Sequence, residues 1–153
     1  MNTKAAKLEL DRLMWRQLML ELWRRGGGVR ESGAFILAPR DSIRAAHFVY
    51  YDDLDPTCLE AGYVRLNGGA YVSLSNICET GGLRVIADVH THPGNWTGQS
   101  PSDRAHPMMS RAGHVALIVP RYAQGNRVGL SGVGAFEYLG NGRWRNCRSE
   151  VCL

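Results

Sequence analysis

The run Leu83-Arg84-Val85-Ile86-Ala87-Asp88-Val89-His90-Thr91 ends against His92-Pro93, and this junction constrains the fold more than any other stretch of the chain. β-Branched and apolar residues dominate the run, which reads as a strand whose side chains alternate between two faces. Asp88, His90 and His92 therefore share a face. Pro93 fixes its own φ and has no backbone donor, so the strand must stop there and pass into the polar loop Gly94–Gln99. Ser100-Pro101-Ser102-Asp103 then reads as a helix start, with a hydroxyl cap, a proline in the first turn and an acid where the helix dipole favours negative charge. Such a turn can return Asp103 to the two imidazoles.

Two neutral imidazoles and a carboxylate make a three-ligand set for Zn²⁺, which in catalytic sites leaves its fourth tetrahedral position to water. A structural zinc site would normally be closed by cysteines, and none lies in this stretch. The plainer alternative is a pair of strand-end histidines facing solvent, with Asp103 as an ordinary cap. The whole pattern, His-x-His-Pro, then Ser100 and Asp103 at fixed spacing, favours the metal reading.

That spacing resembles the JAMM motif of the JAB/MPN metalloprotease family, zinc isopeptidases that remove ubiquitin and ubiquitin-like proteins. The family's separate glutamate corresponds to Glu31, in Glu31-Ser32-Gly33-Ala34-Phe35-Ile36-Leu37. The resemblance runs from about Trp15 to about Trp144. It implies one zinc per chain held by His90, His92 and Asp103, Glu31 as general base toward the attacking water, and Ser100 as hydrogen-bond donor to the developing oxyanion. Family patterns often carry a second glycine where this chain has Ala34, a small departure. The implied fold is a single α/β domain over residues 1–153, a mixed sheet flanked by helices in a cytidine-deaminase-like arrangement.

Length agrees with one domain: a chain of 153 residues buries roughly two-thirds of its unfolded surface. The net charge of +4 is modest and no basic run is interleaved with stacking aromatics, so no nucleic-acid partner is expected. Only Lys4 and Lys7 among the 18 basic residues are lysine, which coding bias explains more simply than avoidance of lysine modification. Cys58, Cys78, Cys147 and Cys152 form no Cys-x-x-Cys pair and read as free thiols. With no signal-peptide core and no run of eighteen apolar residues, a cytoplasmic protein without a membrane partner is expected.

Residues 4–25 read as one helix with Leu10, Met14, Leu18 and Leu22 in its apolar stripe, joined by Leu13 and Trp15, and ended by Gly26-Gly27-Gly28. Glu31–Ala38 and Ile43–Tyr51 form an antiparallel hairpin that sets Glu31 at a strand end. Asp52, Asp53 and Asp55 lack EF-hand spacing and suit a solvated turn with a helix cap better than a calcium site. Tyr63–Leu66 is a short strand, and a helix over about 70–80 closes at Gly81-Gly82. Helix is expected to continue over 104–112 with a kink at Pro107. Gly113–Pro120 and Gly132–Leu139 are strands, and Asn141-Gly142 turns the chain into a last strand through Trp144. Three helical segments result.

Some polar residues have two readings. Asp88 can orient a ligand imidazole or pair with an arginine, and Trp96 can line a substrate groove or anchor its loop. His114 reads as a hydrogen-bonded histidine of a buried strand, and His47 and His106 have no partner pattern; none of the three joins the metal set.

With three protein ligands, zinc lowers the pKa of a water from about 15.7 toward about 7, and Glu31 would take its proton and pass it to the leaving amine. The family's substrates present an extended glycine-ended tail paired with a sheet edge, so the implied partner is a ubiquitin-like protein or its conjugate. Bacterial relatives stand beside conjugating enzymes, including in phage defence. The alternatives are a processing peptidase for a sulfur-carrier-like protein and a metal-free MPN scaffold. A zinc nucleoside deaminase is excluded because its His-x-Glu and Pro-Cys-x-x-Cys signatures are missing.

Overall fold

In the computed structural model, which describes residues 4–61 and 64–153, strand β1 (Leu8–Glu9) precedes helix α1 (Arg12–Gly26). The hairpin β2 (Gly33–Pro39) and β3 (His47–Tyr50) leads into the single turn α2 (Tyr51–Leu54), then α3 (Gly68–Gly81) and β4 (Leu83–Thr91). After the short α4 (Pro101–Ala105) come β5 (Val115–Val119), β6 (Gly134–Gly140), β7 (Arg143–Asn146) and β8 (Val151–Cys152). Six strands pair in the order β3-β2-β4-β5-β6-β7, with β4 and β5 parallel and the other neighbours antiparallel. The predicted α/β class and mixed sheet are observed.

Each face of the sheet packs its own core. Ala34, Ile36 and Ala38 of β2 meet Trp15, Leu18, Met19 and Leu22 of α1, spaced to fall on one side of a helix. Each such side chain, fully buried, contributes about 1.5–3 kcal/mol. Phe35 and Leu37 face the other way, onto Leu74 of α3 and Tyr51 of α2. A bulge modifies this alternation in β4: Ile36 pairs with Ala87 but Leu37 with Val85, so Ile86 is the extra residue and shares the α1 face with Ala87. Beyond the bulge Asp88 and His90 fall on the α3 face.

Several predicted boundaries move. The first helix begins at Arg12, not at residue 4, because Asp11 caps it through the Leu13 and Met14 amides and Leu8–Glu9 are held in a parallel pairing with Val151–Cys152. Its stripe also rotates, leaving Leu13 63% exposed while Trp15 is buried and donates to the Asn126 carbonyl. Gly27 ends it at φ 63°, as expected of a glycine cap. Residues 64–66 are not strand, and Tyr63 lies outside the described residues. Helix does not continue over 104–112: α4 stops at Ala105, before Pro107. There are thus four α-helices among the described residues, not three helical segments.

The acidic cluster is a structural one. Asp52 and Asp53 take one guanidinium nitrogen of Arg25 at 3.0 and 2.8 Å, and Asp55 caps Thr57 and the Asn67 amide. Glu137 and Glu150, both buried, share Arg145, and Lys7 adds a second cation on Glu137, tying the residue before β1 to β6. All four cysteines are free thiols.

Candidate metal centre

Three of the site's side chains come from the β2–β4 ladder. Gly33 pairs with His90, and the ladder is prolonged by the Thr91 amide donating to the Ser32 carbonyl while the Ser32 amide donates to Thr91 Oγ1. Counted outward on this register, Glu31 stands opposite His92. The His92 amide is fixed in turn by the Val119 carbonyl. Gly33 has no room for a side chain, since a Cβ there would lie 2.5 Å from the Val89 carbonyl oxygen and against the Tyr51 ring. The close approach of Tyr51 matters because its hydroxyl donates to Asp88 Oδ2 at 3.2 Å.

The fourth comes from the helix start. Ser100 Oγ accepts from the Asp103 amide at 3.0 Å and Asp103 Oδ2 accepts from the Ser100 amide at 2.8 Å, a reciprocal capping box with Pro101 in the first turn. The same carboxylate that caps the helix also reaches the imidazoles, with Oδ1 3.4 Å from His90 Nε2 and Oδ2 3.3 Å from His92 Nε2. The two Nε2 atoms are 3.1 Å apart. One ligand atom from each of the three side chains can be chosen so that all lie within 4.8 Å of one another, close enough to share one metal ion.

Proton positions point the same way. His92 Nδ1 is 3.1 Å from the Trp96 carbonyl, which only accepts, so Nδ1 carries the proton and Nε2 turns its lone pair toward His90 and Asp103. Asp88 lies behind His90, 3.9 Å from its Nδ1. Two imidazole nitrogens and a carboxylate brought this close together favour a cation among them. A proton answers in part: burial works against charging His90, but Asp103 and Asp88 outweigh it and push its pKa up to about 10. Asp103 is held well below the usual carboxylate range, burial being overcome by His90 and His92. His90, His92 and Asp103 can hold a metal ion, and metal competes there with that proton.

Glu31 is half-buried, and burial pushes its pKa up, with His90 and His92 opposing and Asp103 adding to the rise. It is electrostatically coupled to all three candidate ligands without being one of them. Ser100 sits beside Asp103 and donates its own hydroxyl proton to no protein acceptor among the described residues. The Trp96 carbonyl anchors His92, and its ring stacks on the same imidazole at 5.6 Å between centroids while the residue stays 61% exposed. Asp88 pairs with no arginine; its second oxygen meets His114 Nε2 at 2.6 Å, which makes His114 the hydrogen-bonded histidine expected.

The sequence reading missed the supports of this loop. Arg121, Tyr122 and Ala123 all take positive φ, 51°, 54° and 67°, a left-handed turn that costs roughly 1–2 kcal/mol per residue. It delivers the Arg121 amide to the Gly94 carbonyl and the Tyr122 amide to the His92 carbonyl. Thr97 Oγ1 donates to the Gly132 carbonyl, and Gly134 leaves space for the Thr97 carbonyl that any Cβ would take. Gly134 alone could have signalled the Thr97 approach in the sequence; the turn at Arg121–Ala123 carries no glycine to announce it.

No family model matches the sequence. Two solved structures resemble the fold over nearly its whole length. The crystal structure of AF2198, a JAB1/MPN domain protein from Archaeoglobus fulgidus, aligns with TM-score 0.55 and 13% identity, covering 94% of this chain and 96% of that one. The solution structure of protein DSY2949 from Desulfitobacterium hafniense aligns with TM-score 0.56 and 12% identity over 95% and 92%. The architecture is therefore that of the JAB1/MPN domain, an α/β fold that here carries a His-His-Asp set able to hold a metal. No helix of the described residues is long and apolar enough to cross a membrane.

Proposed function

We propose that the protein is a zinc-dependent isopeptidase or peptidase that hydrolyses the bond after the C-terminal glycine of a ubiquitin-like protein, in deconjugation or precursor processing. The observation that carries this reading is the convergence of His90, His92 and Asp103, with Glu31 half-buried at the neighbouring strand end opposite His92. Zinc there, one per chain, supplies a Lewis acid and lowers the pKa of a water toward about 7. Glu31 takes the proton of the attacking water and returns it to the departing lysine amine, which leaves poorly unless protonated. Burial raises its proton affinity and so suits it to the second transfer as well as the first. Ser100, whose hydroxyl proton is free, donates to the oxyanion. Trp96, exposed and stacked on His92, covers the side from which an extended glycine tail approaches. The protein works in the cytoplasm alongside the enzymes that conjugate its substrate.

The test is cleavage of a panel of glycine-ended ubiquitin-like proteins, each joined through its terminal carboxyl to a lysine side chain or to a short C-terminal extension. Cleavage after the glycine, lost on chelation and restored by stoichiometric zinc, is the expected result. A zinc-loaded protein that binds such proteins and cleaves none would instead be a scaffold.

A further inference from the structure

Tyr51 of α2, Asp88 of β4 and His114 from the turn before β5 meet at one carboxylate. Asp88 is 1% exposed, His114 is 5% exposed and Tyr51 is fully buried. His114 Nε2 stands 2.6 Å from Asp88 Oδ1, and because a carboxylate only accepts, that nitrogen carries the proton. The Tyr51 hydroxyl donates to Oδ2 at 3.2 Å. Both donors are themselves held. The His114 amide donates to the Arg111 carbonyl and its own carbonyl accepts from the Tyr138 amide, while the Tyr51 ring lies edge-on to Phe35 at 4.9 Å and close against Gly33. Among the described residues the ion pairs of Asp88 are with histidines alone. Apolar side chains of similar volume would fill such a space without loss of stability and often with a gain, so packing does not account for the cluster.

Its place beside His90 does. That ring stands between two carboxylates, with Asp103 Oδ1 3.4 Å from Nε2 and Asp88 Oδ2 3.9 Å from Nδ1. A neutral imidazole has one proton to place. On Nε2, toward Asp103, the proton closes the atom that a metal needs; on Nδ1, toward Asp88, it leaves that atom open. Which nitrogen is free is set by what the other one meets. For His92 the Trp96 carbonyl settles this at Nδ1, and Asp88 stands in the corresponding place behind His90. We propose that Tyr51 and His114 are positioning residues of the metal centre: together they fix the Asp88 carboxylate as an acceptor behind His90, which selects the Nδ1–H form of that ring and frees Nε2. The proposal rests on the metal-site reading above. Both residues act through Asp88 and not on the metal.

The test is the affinity of the full chain for Zn²⁺, measured by chelator competition well below the melting temperature, together with a long-range proton–nitrogen NMR spectrum of the zinc-loaded protein. His114→Leu, which removes the donor, is expected to weaken zinc binding roughly 10–100-fold, the usual cost of losing an outer partner of a metal-bound histidine. His114→Gln, which keeps an N–H near the position of Nε2, should restore most of the affinity. Tyr51→Phe, which removes one oxygen and keeps the ring packed, should give a smaller loss. Leu74→Ala, in the same core but outside the cluster, should lower the melting temperature and leave zinc affinity at the wild-type value. The spectrum should show His90 protonated at Nδ1. Wild-type zinc affinity in His114→Leu, or in Tyr51→Phe where His114→Leu does not fold, would overturn the proposal. So would an equal loss of affinity in Leu74→Ala, or a proton on His90 Nε2. A wild-type chain that takes up no zinc would overturn the metal-site reading and this proposal with it, an outcome distinct from zinc binding that the variants leave unchanged.

Discussion

The two halves of the metal centre are built by different means. Glu31, His90 and His92 stand at the end of a central ladder whose strands are buried on both faces, so backbone pairing fixes them before any side-chain contact is counted. Asp103 and Ser100 stand on a five-residue helix with no buried residue, reached through a loop held by a capping box, three backbone bonds at its ends and the Thr97 hydroxyl. Such a helix is too short to be stable alone. The ladder half is rigid by construction, whereas the helix half is rigid only as long as its individual ties persist, and metal is one more tie.

The comparison is broken most severely by removing a ligand. Wild type is expected to carry about one zinc per chain, and His90→Ala or Asp103→Ala to carry none, because two ligands do not hold zinc against a chelator. Stripping the metal should raise amide exchange over residues 94–105 and leave β2 and β4 protected. Uniform loss of protection would mean the halves are not distinct.

Next come the two glycines. Gly33→Ala drives a methyl into Val89 and Tyr51 within the ladder and should cost about 1–3 kcal/mol of stability or more, as overpacking does. Gly134→Ala meets chiefly the Thr97 carbonyl of the loop and, at 3.1 Å, the edge of the Phe136 ring, so it should lower zinc affinity with a smaller change in melting temperature. Equal thermal losses would contradict the division.

Ser100→Ala separates cap from catalysis. Loss of the cap should cost about 1 kcal/mol, and loss of the oxyanion donor should lower kcat roughly 10²–10³-fold with zinc retained. Unchanged kcat would leave Ser100 a cap alone.

The smallest effect belongs to the ladder half's cores. Burial pushes the Cys58 and Cys147 thiols from 9.0 up to about 11. Below pH 9 both folded and unfolded states keep these protons and the contribution to stability is complete. As pH rises from 9 through 11 the unfolded chain releases them first, so stability should fall over that window. At pH 8 an alkylating agent should modify the exposed Cys152 and spare Cys58 and Cys147. Their modification in the native protein would show the cores to be open.

The same division explains what could be read from the sequence. Strand parity placed His90 with His92, and the Ser-Pro-x-Asp start placed Asp103, because both signals are local in the chain. The bulge at Ile86 was not legible: it is a mismatch between two strands, and a β-branched run reads the same with or without it. Pairing of Leu8–Glu9 with Val151–Cys152 spans almost the whole chain and leaves no periodic trace in two residues. The left-handed turn at Arg121–Ala123 uses none of the glycines that normally announce one. Tyr51 passed for the end of a strand, and its bond to Asp88 depends on the α2 turn that carries it across the face of β2.

Glu31→Gln tests the central claim most directly, since it alters the proposed general base and none of the proposed metal ligands. Zinc content, melting temperature and affinity for a lysine-linked ubiquitin-like substrate, measured on one preparation, should match wild type while turnover falls nearly to zero, an amide being unable to take a proton from water. Loss of zinc in this variant, or turnover equal to wild type, would contradict the account.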